Sequence, residues 1–252
     1  MSFSQSRPFR VLAAASLALM AACNNATPSE AAAAKANGGT AAATPAGKDW
    51  SKVISTSPQG GIVIGNPDAP VTLMEYGSFT CSHCAEFEEA GMPSLLRNYV
   101  APGKVRFEFR SFPLSGAVDV GMTLLTMCQT PEAGWTFAKA LFQSQVQLIQ
   151  GFQAIPQTEL ARLQAMPPAE AIVTYADLGG LDDFARVRGV PKARFQQCLS
   201  NQGNLAKFEA NAAEAQERYK LTGTPWFIIN GAAVPNTSNW LSLESKLKAA
   251  LP

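Results

Sequence analysis

Two cysteines three positions apart, Cys81 and Cys84, stand where a β-rich run gives way to a helical one. That junction constrains the fold more than any other feature of the chain. The spacing lets both sulfurs meet within one turn and close a small, reducible ring. A helix beginning at Cys81 or Ser82 directs free backbone N–H groups and the positive end of its dipole at Cys81. These effects favour the thiolate, lower the thiol pKa and make Cys81 the attacking and leaving sulfur. His83 lies between the two sulfurs, where a cation or a ring N–H would further stabilise that thiolate. Stabilising the reduced form makes the disulfide an oxidant. Two other roles compete. A stabilising disulfide across four residues restrains the unfolded chain little. Half of a zinc site needs two further ligands, and the chain has one His and no second Cys-x-x-Cys.

The single histidine excludes sites built from two or more imidazoles, so neither a metal nor a cofactor is expected. The formal charge is +1 and 15% of residues are charged. No basic excess exists to neutralise phosphates, so nucleic acid is not an expected partner. Five cysteines are too few for a disulfide-stapled scaffold and odd in number, so one does something other than pair internally. The 252 residues allow one substantial domain, or one carrying an insert.

The first 22 residues have the pattern of a signal peptide. Arg7 and Arg10 precede an apolar run from Val11 to Ala22, interrupted by Ser16. That run is too short to cross a bilayer as a helix. It ends Leu19-Met20-Ala21-Ala22-Cys23, which resembles a bacterial lipobox with Met20 in place of the usual Leu. The alternative is an ordinary signal peptide cut near Ala21 or Ala22. Residues 24–48 hold ten Ala and no aromatic, a composition that cannot bury enough apolar surface to offset its ordering entropy. The expected organisation is a signal peptide over 1–22, a lipid-attachment Cys23 with an Ala-rich tether over 23–48, and a domain over 49–252. A chain so organised is expected in a bacterial cell envelope, held to a membrane by lipid on Cys23.

Within that domain, Gly61 to Gly65 is a short β-rich run expected at a sheet edge. Val71 to Tyr76 reads as a central strand, with Val71, Leu73 and Glu75 on one face. A carboxyl on that apolar face should have a raised pKa, which suits Glu75 to carry protons. A helix is expected from Cys81 or Ser82 to about Tyr99, kinked at Pro93. Lys104 to Arg110 alternates as a strand. From about 117 to 219 the pattern is helical, with starts at Pro131, Pro156, Pro168 and Pro191. Trp226 to Ile229 is a strand, Asn230-Gly231 a hairpin turn, Ala232 to Val234 its return, and Trp240 to Leu251 a terminal helix. Two halves, 62–112 and 222–251, thus form one α/β layer interrupted by a helical insert over about 115–221. Thr224-Pro225 stands at the mouth of the last long strand. A proline there removes a ladder donor and leaves the Thr224 backbone free to pair with an extended peptide. A simple loop is the alternative.

Glu75-Tyr-Gly-Ser-Phe-Thr-Cys81-Ser-His-Cys84, a helical insert and Gly223-Thr224-Pro225 before a strand together resemble the DsbA-like branch of the thioredoxin superfamily, over about 60–252. The resemblance implies an α/β thioredoxin fold, with a large helical insertion between a βαβ half and a C-terminal ββα half. It implies disulfide exchange with reduced or misoxidised exported proteins, most readily as an oxidase, and a membrane redox partner that recycles the pair. Cys81 would be the nucleophile and Cys84 the buried resolving thiol. Pro225 would be a cis-proline facing them, Thr224 a substrate contact and Glu75 a buried acid assisting proton transfer. Ser82 departs from the commonest oxidase form, which has Pro there. Relatives of this kind also imply a structural bridge between Cys128 and Cys198, worth about 4 kcal/mol for a loop of roughly 70 residues. Two buried free thiols are the alternative. The competing functions are an isomerase or reductant of the same fold and, more remotely, a non-catalytic lipoprotein that binds peptide or metal.

Overall fold

A computed structural model describes residues 47–252. The expected signal peptide, Cys23 and nearly all of the tether lie outside the described residues. Six strands form one mixed sheet: β1 (Ile54–Thr56), β2 (Ile62–Ile64), β3 (Val71–Gly77), β4 (Val105–Ser111), β5 (Trp226–Ile229) and β6 (Ala232–Ala233). Their spatial order is β1-β2-β4-β3-β5-β6. Only β3 and β4 run parallel, so the chain crosses over between them through a helical stretch, 82–100. This stretch comprises α1 (Ser82–Glu86), a π-turn, α2 (Met92–Leu95) and a second π-turn. Pro93 lies in the first turn of α2, directly after the first π-turn, where the Met92 N–H reaches back to the Phe87 carbonyl. The widened turn accommodates a residue that has no N–H to give.

One expectation is corrected. β2 is not an edge strand, because β1 pairs outside it with Ile54 opposite Ile64. β1 is three residues long with partly exposed side chains, so it carries little periodicity to read.

Both sheet faces are covered. Val71 and Leu73 pack with Phe79, Phe87 and the insert in the main core, while Met74, Tyr76 and Ile228 form a second cluster with Ala215 and Tyr219. The hairpin turn places Asn230 and Gly231 at positive φ, 50° and 79°, as a two-residue turn between twisted strands requires.

The insert consists of α3 (Ala117–Met127), α4 (Pro131–Gln143), α5 (Gln145–Gln153), α6 (Gln157–Gln164), α7 (Pro168–Leu178), α8 (Leu181–Arg186), α9 (Lys192–Leu199) and α10 (Gln202–Glu217). Pro131 and Pro168 occupy first turns, and Pro156 and Pro191 sit at N-caps. Cys128, at the end of α3, is disulfide-bonded to Cys198 on α9. A partly buried polar knot ties α10 to the sheet. Arg110 donates to Glu108 at 2.7 Å and to Glu214 at 2.6 Å, and the Tyr76 hydroxyl donates to Glu214 at 3.0 Å. The terminal helix α11 (Trp240–Ala250) packs Trp240 against Phe87 and Tyr99.

Candidate active site

Cys81 is the N-cap of α1, placed by the short loop after central strand β3, and Cys84 lies one turn in. Both are free thiols with unequal access: Cys81 keeps 6% of its surface and Cys84 1%. The Cys81 sulfur lies 3.2 Å from the Thr224 carbonyl oxygen, and the thiol donates to it. The Thr224–Pro225 peptide bond is cis. The buried Thr224 hydroxyl lies on the same side and helps hold the Cys81 pKa down.

The two thiols are electrostatically opposite. The Cys81 pKa is pushed down to about 5, chiefly by a hydrogen bond from the Cys84 thiol, with the backbone N–H groups of Cys84 and His83 adding to it. These donors face the sulfur because Cys81 caps the helix and leaves first-turn N–H groups without carbonyl partners. Burial pushes Cys84 strongly the other way, reinforced by its hydrogen bond to Cys81 and the charge of Glu75. The Ser78 N–H, 3.5 Å from the Cys84 sulfur, partly offsets this.

Glu75 is 2% exposed on the central strand. Its neighbours in register are Phe109 on β4 and Phe227 on β5, so no cation sits beside it on either adjoining strand. Burial raises its pKa well above 4.5, and the charges of Glu88 and Cys81 raise it further. Glu88, one turn beyond Cys84, is itself raised to about 8 by burial, with Lys139 opposing. Glu88 borders a cleft of about 500 Å³ with Ala85, Pro93 and Phe142.

The structure therefore brings Cys81, Cys84, Glu75, Thr224 and Pro225 to one place. His83 differs from expectation. Its imidazole is 65% exposed and faces Glu86 at 3.5 Å, and its backbone N–H, not its ring, acts on Cys81. The carboxylate three positions on competes for the ring, as helical spacing allows.

Three supporting residues are not singled out by the sequence alone. Gln145, the first residue of α5, donates from one nitrogen to the carbonyls of Phe79 and Cys81 at 2.8 and 2.9 Å. Asp119 is fully buried and accepts from Ser78, Thr80 and the Ser115 N–H at 2.9, 3.0 and 2.7 Å. It is the one charged residue in the apolar segment Ala117–Met127, a signal that could have found it. Glu88 could have been found from its spacing of one helical turn from Cys84.

Comparison with known proteins agrees with this geometry. Residues 57–249 match the family model described as Thioredoxin. The crystal structure of a protein-disulfide isomerase from Novosphingobium aromaticivorans is 32% identical, with a TM-score of 0.70, covering 75% of this chain and 96% of that one. The chain belongs to the thioredoxin family, in its DsbA-like branch. The α-DsbA1 of Wolbachia pipientis shares the fold at 22% identity and a TM-score of 0.59, over 78% of this chain and 92% of that one. A Rickettsia prowazekii protein named as a protein-disulfide oxidoreductase is 25% identical over 177 residues, 70% of this chain and 57% of that protein. The chain thus spans less than two thirds of that relative's length. Among the described residues of this DsbA-like chain, no helix is long and apolar enough to cross a membrane. No group of three or more His, Cys, Asp or Glu among them is placed to hold a metal ion.

Proposed function

We propose that this protein is a thiol:disulfide oxidoreductase that runs as an oxidase of exported proteins. The observation that carries this reading is the asymmetry of one sulfur pair. Cys81 is a low-pKa thiol at a helix N-terminus against the Thr224 carbonyl, and Cys84 is a buried, high-pKa thiol behind it.

In the oxidised protein, a substrate thiolate attacks the Cys81 sulfur. The Cys81–Cys84 bond breaks, a substrate–Cys81 disulfide forms, and Cys84 leaves as a thiolate. Cys84 favours its protonated form, and the Glu75 carboxyl, whose pKa burial raises well above 4.5, is the group placed to supply the proton. A second substrate thiolate then attacks the substrate sulfur. The substrate disulfide forms, and Cys81 departs as a thiolate that a pKa of about 5 makes a good leaving group. The substrate has lost two electrons and the pair has gained them. A stabilised Cys81 thiolate favours this direction, since stabilising the reduced form makes the disulfide more oxidising. Thr224 positions substrate through its backbone, and a membrane redox partner reoxidises the pair. Export by residues 1–22 and a lipid on Cys23 hold the domain on the periplasmic side of an envelope membrane.

The test uses a Cys84→Ser protein and a peptide whose cysteine is disulfide-bonded to a small thiol. Cys81 should displace the small thiol and remain joined to the peptide, because no resolving sulfur is present. Absence of an adduct, or one that survives Cys81→Ser, refutes the assignment. One observation favours a second reading: the Novosphingobium relative is named a protein-disulfide isomerase. An isomerase needs Cys81 reduced at rest, and the reduction potential separates the two.

A further inference from the structure

Beside the sulfur pair, on the side of the insert, the structure holds a cavity of about 220 Å³ that opens to solvent. Val118, Ile149, Phe152 and Tyr175 form its apolar wall, and the rings of Phe152 and Tyr175 lie 5.0 Å apart. Thr80, Ser115 and Gln153 complete the lining, and none of the lining residues is charged. We propose that this cavity is a specificity pocket for an apolar side chain, of leucine or phenylalanine size, within three residues of the substrate cysteine. The inference rests on Cys81 being the sulfur that joins to substrate.

Its position follows from how α5 is fixed. Gln145 grips the Cys81 carbonyl at 2.9 Å, so α5 starts directly against the nucleophile loop. Ile149, Phe152 and Gln153 follow at four, seven and eight residues, on the helix face that Gln145 begins. At about 1.5 Å per residue, Ile149 lies roughly 6 Å and Phe152 roughly 10 Å along the helix from that grip. An extended peptide advances about 3.3 Å per residue, so two or three residues span the same distance. Thr80, the residue before Cys81, forms the near wall. The pocket is thus bordered by the residue that precedes the nucleophile.

Size and charge select the occupant. An apolar cavity of about 150 Å³ holds a benzene ring, so 220 Å³ has room for a phenyl or isobutyl group. The near wall is rigid: the Thr80 hydroxyl donates to Asp119 at 3.0 Å, and the Ser115 N–H donates to the same carboxylate at 2.7 Å. The uncharged lining leaves an acidic side chain no cation to meet. The larger cleft at Glu88 differs, since Glu88 and Glu89 both line it.

The experiment measures mixed-disulfide formation between the oxidised full-length protein and single-cysteine peptides. An uncharged host peptide carries Leu, Phe, Ala or Asp at each of three positions on either side of the cysteine. Leu or Phe should raise the second-order rate about tenfold over Ala at one position, and Asp should lower it there. Ile149→Arg and Val118→Arg should each remove the Leu-over-Ala preference, and either one suffices if the other fails to fold. A flat profile in the unmodified protein overturns the pocket whatever the variants do, as does a preference that survives both. Failure of the unmodified protein to react with any peptide or with a small dithiol sinks the redox reading itself, and the pocket with it.

Discussion

Removing the Cys84 thiol should raise the Cys81 pKa, because that thiol supplies the largest share of the thiolate's stabilisation. A hydrogen bond to a charged group is worth about 1.5–3 kcal/mol, or about one to two pKa units. Cys84→Ala should therefore move Cys81 from about 5 to between about 6 and 7. The remaining depression below 9.0 belongs to the backbone N–H groups of Cys84 and His83 and to Thr224, which the substitution leaves in place. Ultraviolet absorbance of the thiolate, followed against pH in the reduced protein, reads the midpoint directly. At pH 6 the unmodified protein should be about 90% ionised, and Cys84→Ala about 10–50%. Cys84→Ser keeps a donor and should fall between them. A Cys84→Ala midpoint within a few tenths of the unmodified protein would refute the assignment of the main stabiliser. A midpoint near 9 in the unmodified protein would refute the whole electrostatic picture.

Three further outcomes are expected. The folded Glu75 carboxyl holds its proton above 4.5, where the unfolded chain releases it, so Glu75 weakens the fold increasingly as pH rises through that range. Glu75→Gln should consequently be more stable than the unmodified reduced protein in urea melts at pH 8, with the gain vanishing near pH 4; the opposite order at pH 8 would contradict the reading. Arg110→Met leaves Glu108 and the Tyr76–Glu214 pair without their guanidinium while Arg218 still holds Glu214, at a cost of about 1.5–3 kcal/mol. The thermal midpoint should drop by about 3–12 °C, and a change within a degree would remove the polar knot from the account. Replacing Cys128 and Cys198 together by Ala opens a loop of sequence separation 70 and should cost about 4 kcal/mol in denaturant midpoints, with the Cys81 titration unmoved.

The sulfur pair, the strand that leads to it and the proline-marked helix starts were legible because each is a local pattern. Cys-x-x-Cys needs one turn, Val71 to Tyr76 is a run of strand formers, and a proline in a first turn signals itself. Asn230-Gly231 likewise dictated its own hairpin. What escaped depends on chain segments far apart in sequence. Arg110 reads as the outward residue of an alternating strand, yet it is buried because Glu214, 104 residues later, is carried over that sheet face by α10. Gln145 is an ordinary polar residue until α5 is folded against the Cys81 loop, 64 residues back. His83 fails differently. Its position between the sulfurs was plain, but sequence adjacency does not fix side-chain direction, and the ring turns outward to Glu86. Glu75 was found because a carboxylate within a strand-forming run is conspicuous without any partner.

The central claim is that stabilising the Cys81 thiolate makes the Cys81–Cys84 disulfide an oxidant. The equilibrium of that pair with reduced and oxidised glutathione tests it most directly, with the four species quantified after an acid quench. The account predicts a potential less negative than about −180 mV, toward the roughly −120 mV of strong oxidants. A potential at or below about −270 mV, in the range of a reductant, would contradict it.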